Sequence, residues 1–209
     1  MYKKQLKIQK IVCLLAVVVA VILFLYALGI MTDLYDNLYD TLRIRVEEDP
    51  TAPNGYSVSA SERINESGTM VYFYMQEFDK YFVNYSIVYI VLAALLFVTN
   101  TNSRRKYYIS NYVAIGLFTA ASIYLPIFAH RYIAFSKAMY LQIDFAAVEE
   151  YMTSLNIAFK QSTLWFDLHY VVMVLMFLIA IAMIAVCAWK VVLMRDERKL
   201  LEEGKKVKA

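Results

Sequence analysis

The sequence predicts an all-α membrane protein in which four transmembrane helices carry helical extracytoplasmic extensions that pack as a small bundle. Of its 209 residues, 61% are hydrophobic, whereas a soluble domain has roughly 45 to 50%. Four apolar runs, 11–31, 81–103, 107–129 and 170–189, contain no charged residue. A bilayer core about 30 Å thick is crossed by roughly 20 helical residues, so each run is long enough to span it.

The transmembrane helices are predicted at 11–31, 84–103, 107–129 and 168–189. A soluble helical core is the alternative, but its helices would each show a polar face, which these runs lack. The first run could also be a signal peptide. Its length exceeds the usual apolar region of about 7 to 15 residues and no small-residue cleavage site follows, so we expect it to be retained.

Basic residues predict the orientation, because lysine and arginine close to a helix end resist translocation. They are concentrated in 1–10, 104–106 and 190–209, which are therefore predicted to be cytoplasmic. The loops 32–83 and 130–167 are predicted to be extracytoplasmic, and the first of them holds 4 basic and 10 acidic residues. We accordingly expect a multi-pass protein of the cell membrane, with both termini in the cytoplasm.

The extracytoplasmic loops are predicted to be largely helical. Two stripes with helical spacing extend the first two spans: Leu34, Leu38 and Leu42, then Val71, Tyr74, Phe78, Phe82 and Tyr85. Between them, 47–65 has the composition of a polar turn region. In the second loop, an amphipathic helix is expected over 141–159. We expect these stripes to pack against one another, although partner binding and, for 141–159, a position on the lipid surface remain open.

His130 and His169 are the only histidines, and the topology places both at the external ends of spans three and four. Two imidazoles on different helices could ligate a haem iron or bind another cofactor. Histidines at a membrane boundary are also ordinary amphipathic residues, and no third ligand accompanies them. These two residues are the candidate cofactor site, and no particular cofactor or metal is predicted.

Arg131 and Asp167 lie at the same level and are expected to form an ion pair between the ends of spans three and four, with exposure of both to the lipid headgroups as the alternative. Charged groups deep within the spans would indicate an ion or proton pathway. Because the four runs contain none, a pump or an ion-coupled transporter is disfavoured.

Small residues mark candidate faces for helix packing. Gly116 and Ala120 are four residues apart on span three, and Ala182 and Ala185 lie on span four. Such spacing lets another helix approach closely.

Several functions are disfavoured by what the sequence lacks. No phosphate-binding glycine loop, Gly-x-Ser-x-Gly or His-Glu-x-x-His motif is present, so we expect no enzyme activity. The basic segments fit contact with anionic lipid, and no nucleic-acid partner is expected. Cys13 and Cys187 lie near cytoplasmic helix ends, so no disulfide is expected in the loops.

In the order of its helices and loops, the chain resembles claudins and tetraspanins. It lacks the Trp and paired cysteines of a claudin first loop and the Cys-Cys-Gly of a tetraspanin second loop, so neither family is assigned. The leading hypothesis is a non-catalytic accessory or scaffold subunit whose partners are the bilayer and other membrane proteins or itself. The alternative is a sensor or carrier that binds a small apolar ligand or haem near His130 and His169.

Overall fold

A computed structural model describes most of the chain. The described residues are 2–35, 45–48, 51, 56–59, 66–101, 107–143, 145–146, 149, 153 and 161–206.

Helices account for nearly all of this part. In chain order the helices are α1 (Tyr2–Gly29), which continues as a π-helical turn (Ile30–Tyr35), α2 (Glu66–Thr101), α3 (Ile109–Tyr140) and α4 (Leu164–Lys206). Two short strands, β1 (Arg45–Glu48) and β2 (Tyr56–Ser59), lie between the π-helical turn and α2.

Within the described residues, four helices are long and apolar enough to cross a membrane, which confirms the predicted fold class. A helix satisfies its backbone polar groups internally, as the hydrocarbon core requires. Large apolar side chains cover the outer surface of all four helices; Val98 and Ile181, for example, are 60% and 62% exposed. This surface suits lipid rather than water, and the chain is a multi-pass integral membrane protein.

The helices extend beyond the predicted spans, as expected for the start of α2 but not for α3, which was predicted to end at residue 129. Helix α2 begins at Glu66, well before residue 84, and α3 continues through Pro126 to Tyr140. Helix α4 begins directly after Thr163. The Thr163 hydroxyl donates to the Asp167 carboxylate at 2.8 Å, while the Ser162 hydroxyl accepts from the Leu164 backbone N–H at 3.3 Å.

The strands form an antiparallel hairpin in which Arg45 pairs with Ser59 and Glu48 with Tyr56. The sequence predicted only a polar turn here, over 47–65. Its alternating Tyr56-Ser57-Val58-Ser59 and the preceding Asn54-Gly55 are typical of a strand that follows a turn. Four residues per strand were too few to stand out among the long helical runs.

Two compact units divide the chain, and each takes one segment from every helix. The first comprises 1–24, 85–127 and 172–209. Its buried apolar core includes many small side chains, among them Ala16, Ala20, Ala93, Ala114 and Ala180. Small residues at these positions allow the helix backbones of this unit to approach closely.

The second unit comprises 25–84 and 128–171, and its core is more aromatic. The Phe78 ring lies 4.8 Å from that of Phe82 and 5.3 Å from that of Tyr132 between centroids. Leu34 and Val71 from the predicted stripes are buried here, whereas Tyr74 is 39% exposed and packs on Phe135. The buried stripe residues therefore lie in the core of this unit, where the α2 stripe packs against rings of α3.

For the second loop, the structure describes only part of the predicted 141–159 helix. The apolar stripe expected for this helix comprises Leu141, Phe145, Val148, Met152, Leu155 and Phe159. Leu141 lies in a turn that follows α3 and is exposed, so the stripe does not begin there. Val148, Met152, Leu155 and Phe159, like Leu38 and Leu42 of the first loop, lie outside the described residues.

Candidate functional site

The two histidines come together in the second unit, one from α3 and one from α4. Their ring centroids are 5.7 Å apart and their planes differ by 17°. The Tyr170 ring lies 5.9 Å from each imidazole. Spacing along each helix could not predict this contact, but the expectation that both histidines share one level is consistent with it.

One nitrogen of each histidine is buried and has no hydrogen-bond partner among the described residues: Nδ1 of His130 and Nε2 of His169. His169 is only 2% exposed. A buried polar atom without a partner is costly, so it often marks a position where a ligand or water binds. These two nitrogens are therefore the groups of the histidine pair that could form a hydrogen bond with a ligand.

Aromatic rings enclose the histidines on the α1 side. The Tyr26 ring lies 6.3 Å from that of His169 and 6.2 Å from that of Trp165. The Tyr26 hydroxyl donates to the Trp165 carbonyl at 3.0 Å, which holds α1 against the start of α4. Phe82 completes this side with an edge-to-face contact to Tyr26 at 6.0 Å.

Asp79 is a member of this cluster that the sequence analysis missed. It is not among the residues of the predicted α2 stripe, yet its side chain is only 4% exposed, and its carboxylate is close enough to Tyr26 to interact with it electrostatically. The signal was present in the spacing, because Asp79 lies between Phe78 and Phe82 and four residues after Met75. A buried acid on a membrane helix is rare and usually functional, so its presence weakens the argument against an ion or proton pathway.

Asp167 forms an ion pair, but its partner is not the predicted one. The Lys137 ammonium binds its Oδ1 at 2.6 Å, whereas Arg131 lies almost two turns earlier on α3 and is exposed. This corrects the expected Arg131–Asp167 pair. Helix α3 extends to Tyr140, so a lysine six residues further along is still available to reach the first turn of α4.

The candidate packing residues lie on open faces. Gly116, Ala120 and Ala185 are exposed and Ala182 is partly exposed. A Cβ atom added at Gly116 would meet no other atom within 4 Å. These four residues are therefore not the ones that pack the helices of this chain together; the buried alanines of the first unit serve that role.

The first unit contains a second polar cluster, at its α1 start. The Gln9 amide donates to the Asn100 carbonyl, and its Oε1 accepts from Gln5 at 2.8 Å and from the Tyr107 hydroxyl at 3.0 Å. The Lys190 ammonium is fully buried over the rings of Tyr2 and Tyr107, at 4.8 and 5.5 Å from their centroids. These contacts connect α1, α2 and α4, which gives the cluster a structural role.

Metal binding by three or more protein ligands finds no support among the described residues, where no group of three His, Cys, Asp or Glu side chains is suitably placed. A haem would have to enter between the two imidazoles, and its macrocycle would displace the Tyr170 ring that contacts both. The histidine pair suits a smaller ligand better.

Comparison with known proteins gave no match to any family model, curated protein or solved structure.

Proposed function

We propose that the chain is an accessory or scaffold subunit of a complex in the cell membrane and has no catalytic activity of its own. In this proposal both of its termini lie in the cytoplasm. The observation that carries the proposal is the open small-residue face of α3, formed by Gly116 and Ala120. Lipid contact alone does not require small residues, whereas close approach of another transmembrane helix does. We infer that the occupant of this face is a transmembrane helix of another subunit.

Helix α4 has a small-residue face of its own, since Ala185 and Ala188 are exposed there. This face would also bind a transmembrane helix of another subunit. Its small side chains shorten the distance between the two helix axes and allow extensive van der Waals contact. Because lipid tails are as apolar as leucine, this packing rather than hydrophobicity provides the attraction between helices.

A bulky side chain on the α3 face tests the proposal. In native membranes solubilised with a mild detergent, Ala120→Ile should shift the chain from a larger assembly to a smaller one on a native gel. Ala94→Ile is the matched control, because Ala94 is also an exposed alanine and lies on α2. Unchanged migration of Ala120→Ile, or an equal effect of Ala94→Ile, would contradict the proposal.

A second function, a sensor or carrier for a small ligand, is favoured by the buried nitrogens of His130 and His169. The groups suit a small apolar molecule with a carbonyl oxygen, which an imidazole N–H could bind while the aromatic rings pack on the rest. A short-chain quinone is a suitable probe. Trp165, which packs on Tyr26 beside His169, provides the fluorescence signal when Trp189 is replaced by Phe.

Saturable quenching of Trp165 by the quinone, lost in His169→Phe, would support this second function. Quenching that rises linearly with quinone in both proteins would contradict it, because this is the behaviour of a molecule dissolved in the detergent. A visible absorption spectrum of the purified protein checks the haem alternative, and we expect no haem absorption band.

A further inference from the structure

The first unit has a groove between α1 and α2 that plays no part in either proposed function. Its volume is about 400 Å³, and its lining consists of Lys10, Ile11 and Leu14 from α1 and Phe97 and Thr101 from α2. Ile11 and Leu14 are about half exposed, so the groove opens outward to the surroundings of the protein. In an integral membrane protein those surroundings are lipid.

Polarity changes along the groove in a defined direction. Lys10 immediately precedes the charge-free run that begins at Ile11, so it lies at the membrane boundary while Leu14 lies one turn further in. On α2 the order is reversed in sequence: Phe97 comes one turn before Thr101, the last residue of the helix. The groove is thus apolar at its inner end and cationic at the boundary.

Lys10 supplies the charge of this lining. The Thr101 hydroxyl donates to the Phe97 carbonyl at 2.6 Å, so its proton is already used within the helix. Lys7, one turn before Lys10, is exposed as well. In the sequence, Arg104 and Arg105 follow Thr101 closely, so further positive charge is attached to the same end of α2.

We propose that this groove binds an anionic glycerophospholipid, with its phosphate at Lys10 and one acyl chain along Ile11, Leu14 and Phe97. An acyl chain fits the apolar walls, and a negative headgroup complements the ammonium at their outer end. A neutral lipid would gain only the contact of its acyl chain with the apolar walls, and a free anion would gain only the attraction to the Lys10 ammonium. The site therefore selects a molecule that carries both groups.

Native mass spectrometry of the full chain tests the proposal, using mixed micelles that contain equal amounts of phosphatidylglycerol and phosphatidylcholine. We expect one bound phosphatidylglycerol to be preferred. Lys10→Gln should reduce its binding about fivefold, which corresponds to about 1 kcal/mol for one basic group near an anionic surface. Leu14→Trp, which fills the groove without changing charge, should reduce binding at least as much.

Two matched variants serve as controls. Lys4→Gln removes an exposed charge from another face of α1, and Leu15→Trp enlarges an exposed residue beside the groove; both should leave phosphatidylglycerol binding within about twofold. Ile11→Trp repeats the groove test if Leu14→Trp fails to fold. No preference over phosphatidylcholine would overturn the proposal, as would equal losses in the controls. Insensitivity to Leu14→Trp together with displacement by inorganic phosphate would identify a simple anion site instead.

Discussion

Gly29 is required by a contact rather than by backbone conformation. A Cβ atom at this position would overlap the indole ring of Trp165. The indole has little freedom to move, because Tyr26, one turn earlier on α1, packs against it and donates a hydrogen bond to its backbone carbonyl. Gly116 differs, since the same atom there would enter open space. Two glycines on membrane helices thus have opposite roles in packing.

Gly29→Ala should therefore destabilise the protein by about 1 to 3 kcal/mol, the usual cost of overpacking a close contact. Gly116→Ala should be neutral or stabilising by up to about 1 kcal/mol in the isolated chain, because alanine has the higher helix propensity. Thermal unfolding of the purified variants in detergent measures both. A stable Gly29→Ala would mean that α1 and Trp165 are not in contact.

Buried polar residues were the part of the candidate site that the sequence predicted least well. His130 and His169 could be chosen because they are the only histidines, and helix order placed them at one level. Asp79 was missed although its spacing from Met75 and Phe82 places it on the buried side of α2, and Lys190 was assigned to the basic tail although four apolar residues, 191–194, follow it. The burial of Lys190 involves rings that are distant in sequence, since its ammonium lies over the ring of Tyr2.

At the scale of the helices, the sequence predicted the number and order of the spans, because length and apolar composition are sufficient for that. It did not predict which faces pack. A membrane helix is apolar on its lipid side as well as its buried side, so amphipathic spacing gives little signal within the spans. The small residues chosen from spacing, Gly116 and Ala120, are open, while Ala16 and Ala93 are buried.

Outside the apolar runs, spacing was more informative, and α2 provides a test of it. Phe78 is 1% exposed and stacks on Phe82 and Tyr132, whereas Tyr81 on the same helix is 52% exposed. Phe78→Ala should cost about 3 to 5 kcal/mol, as expected for a buried phenylalanine. Tyr81→Ala should change stability by less than about 1 kcal/mol. Unfolding followed in detergent measures both, and equal effects would show that the stripe of α2 is not a packed face.

At the scale of the whole molecule, charge is distributed unevenly along the chain. The segments 1–10, 104–106 and 190–209 are basic, and the first loop is acidic. Helix α4 continues far beyond its apolar part to Lys206, where an exposed Arg198–Glu202 pair at 3.1 Å supports it only slightly. Each pair of spans crosses the membrane twice and returns the chain to the side from which it started. The three basic segments precede the first pair, separate the two pairs and follow the second pair, so all three lie on one side of the membrane.

The positive-inside rule then predicts that this shared side is the cytoplasm, and cysteine labelling of intact cells tests it. In a background with Cys13→Ser and Cys187→Ser, Tyr56→Cys in β2 should react with an impermeant maleimide without permeabilisation. Arg104→Cys and Leu200→Cys should react only after the membrane is opened. Leu200 is 69% exposed, so burial within the chain cannot explain a lack of labelling there. Labelling of position 104 or 200 in intact cells would show that the orientation is the opposite of the predicted one. Labelling of positions 56 and 104 from the same side would show that no span lies between them.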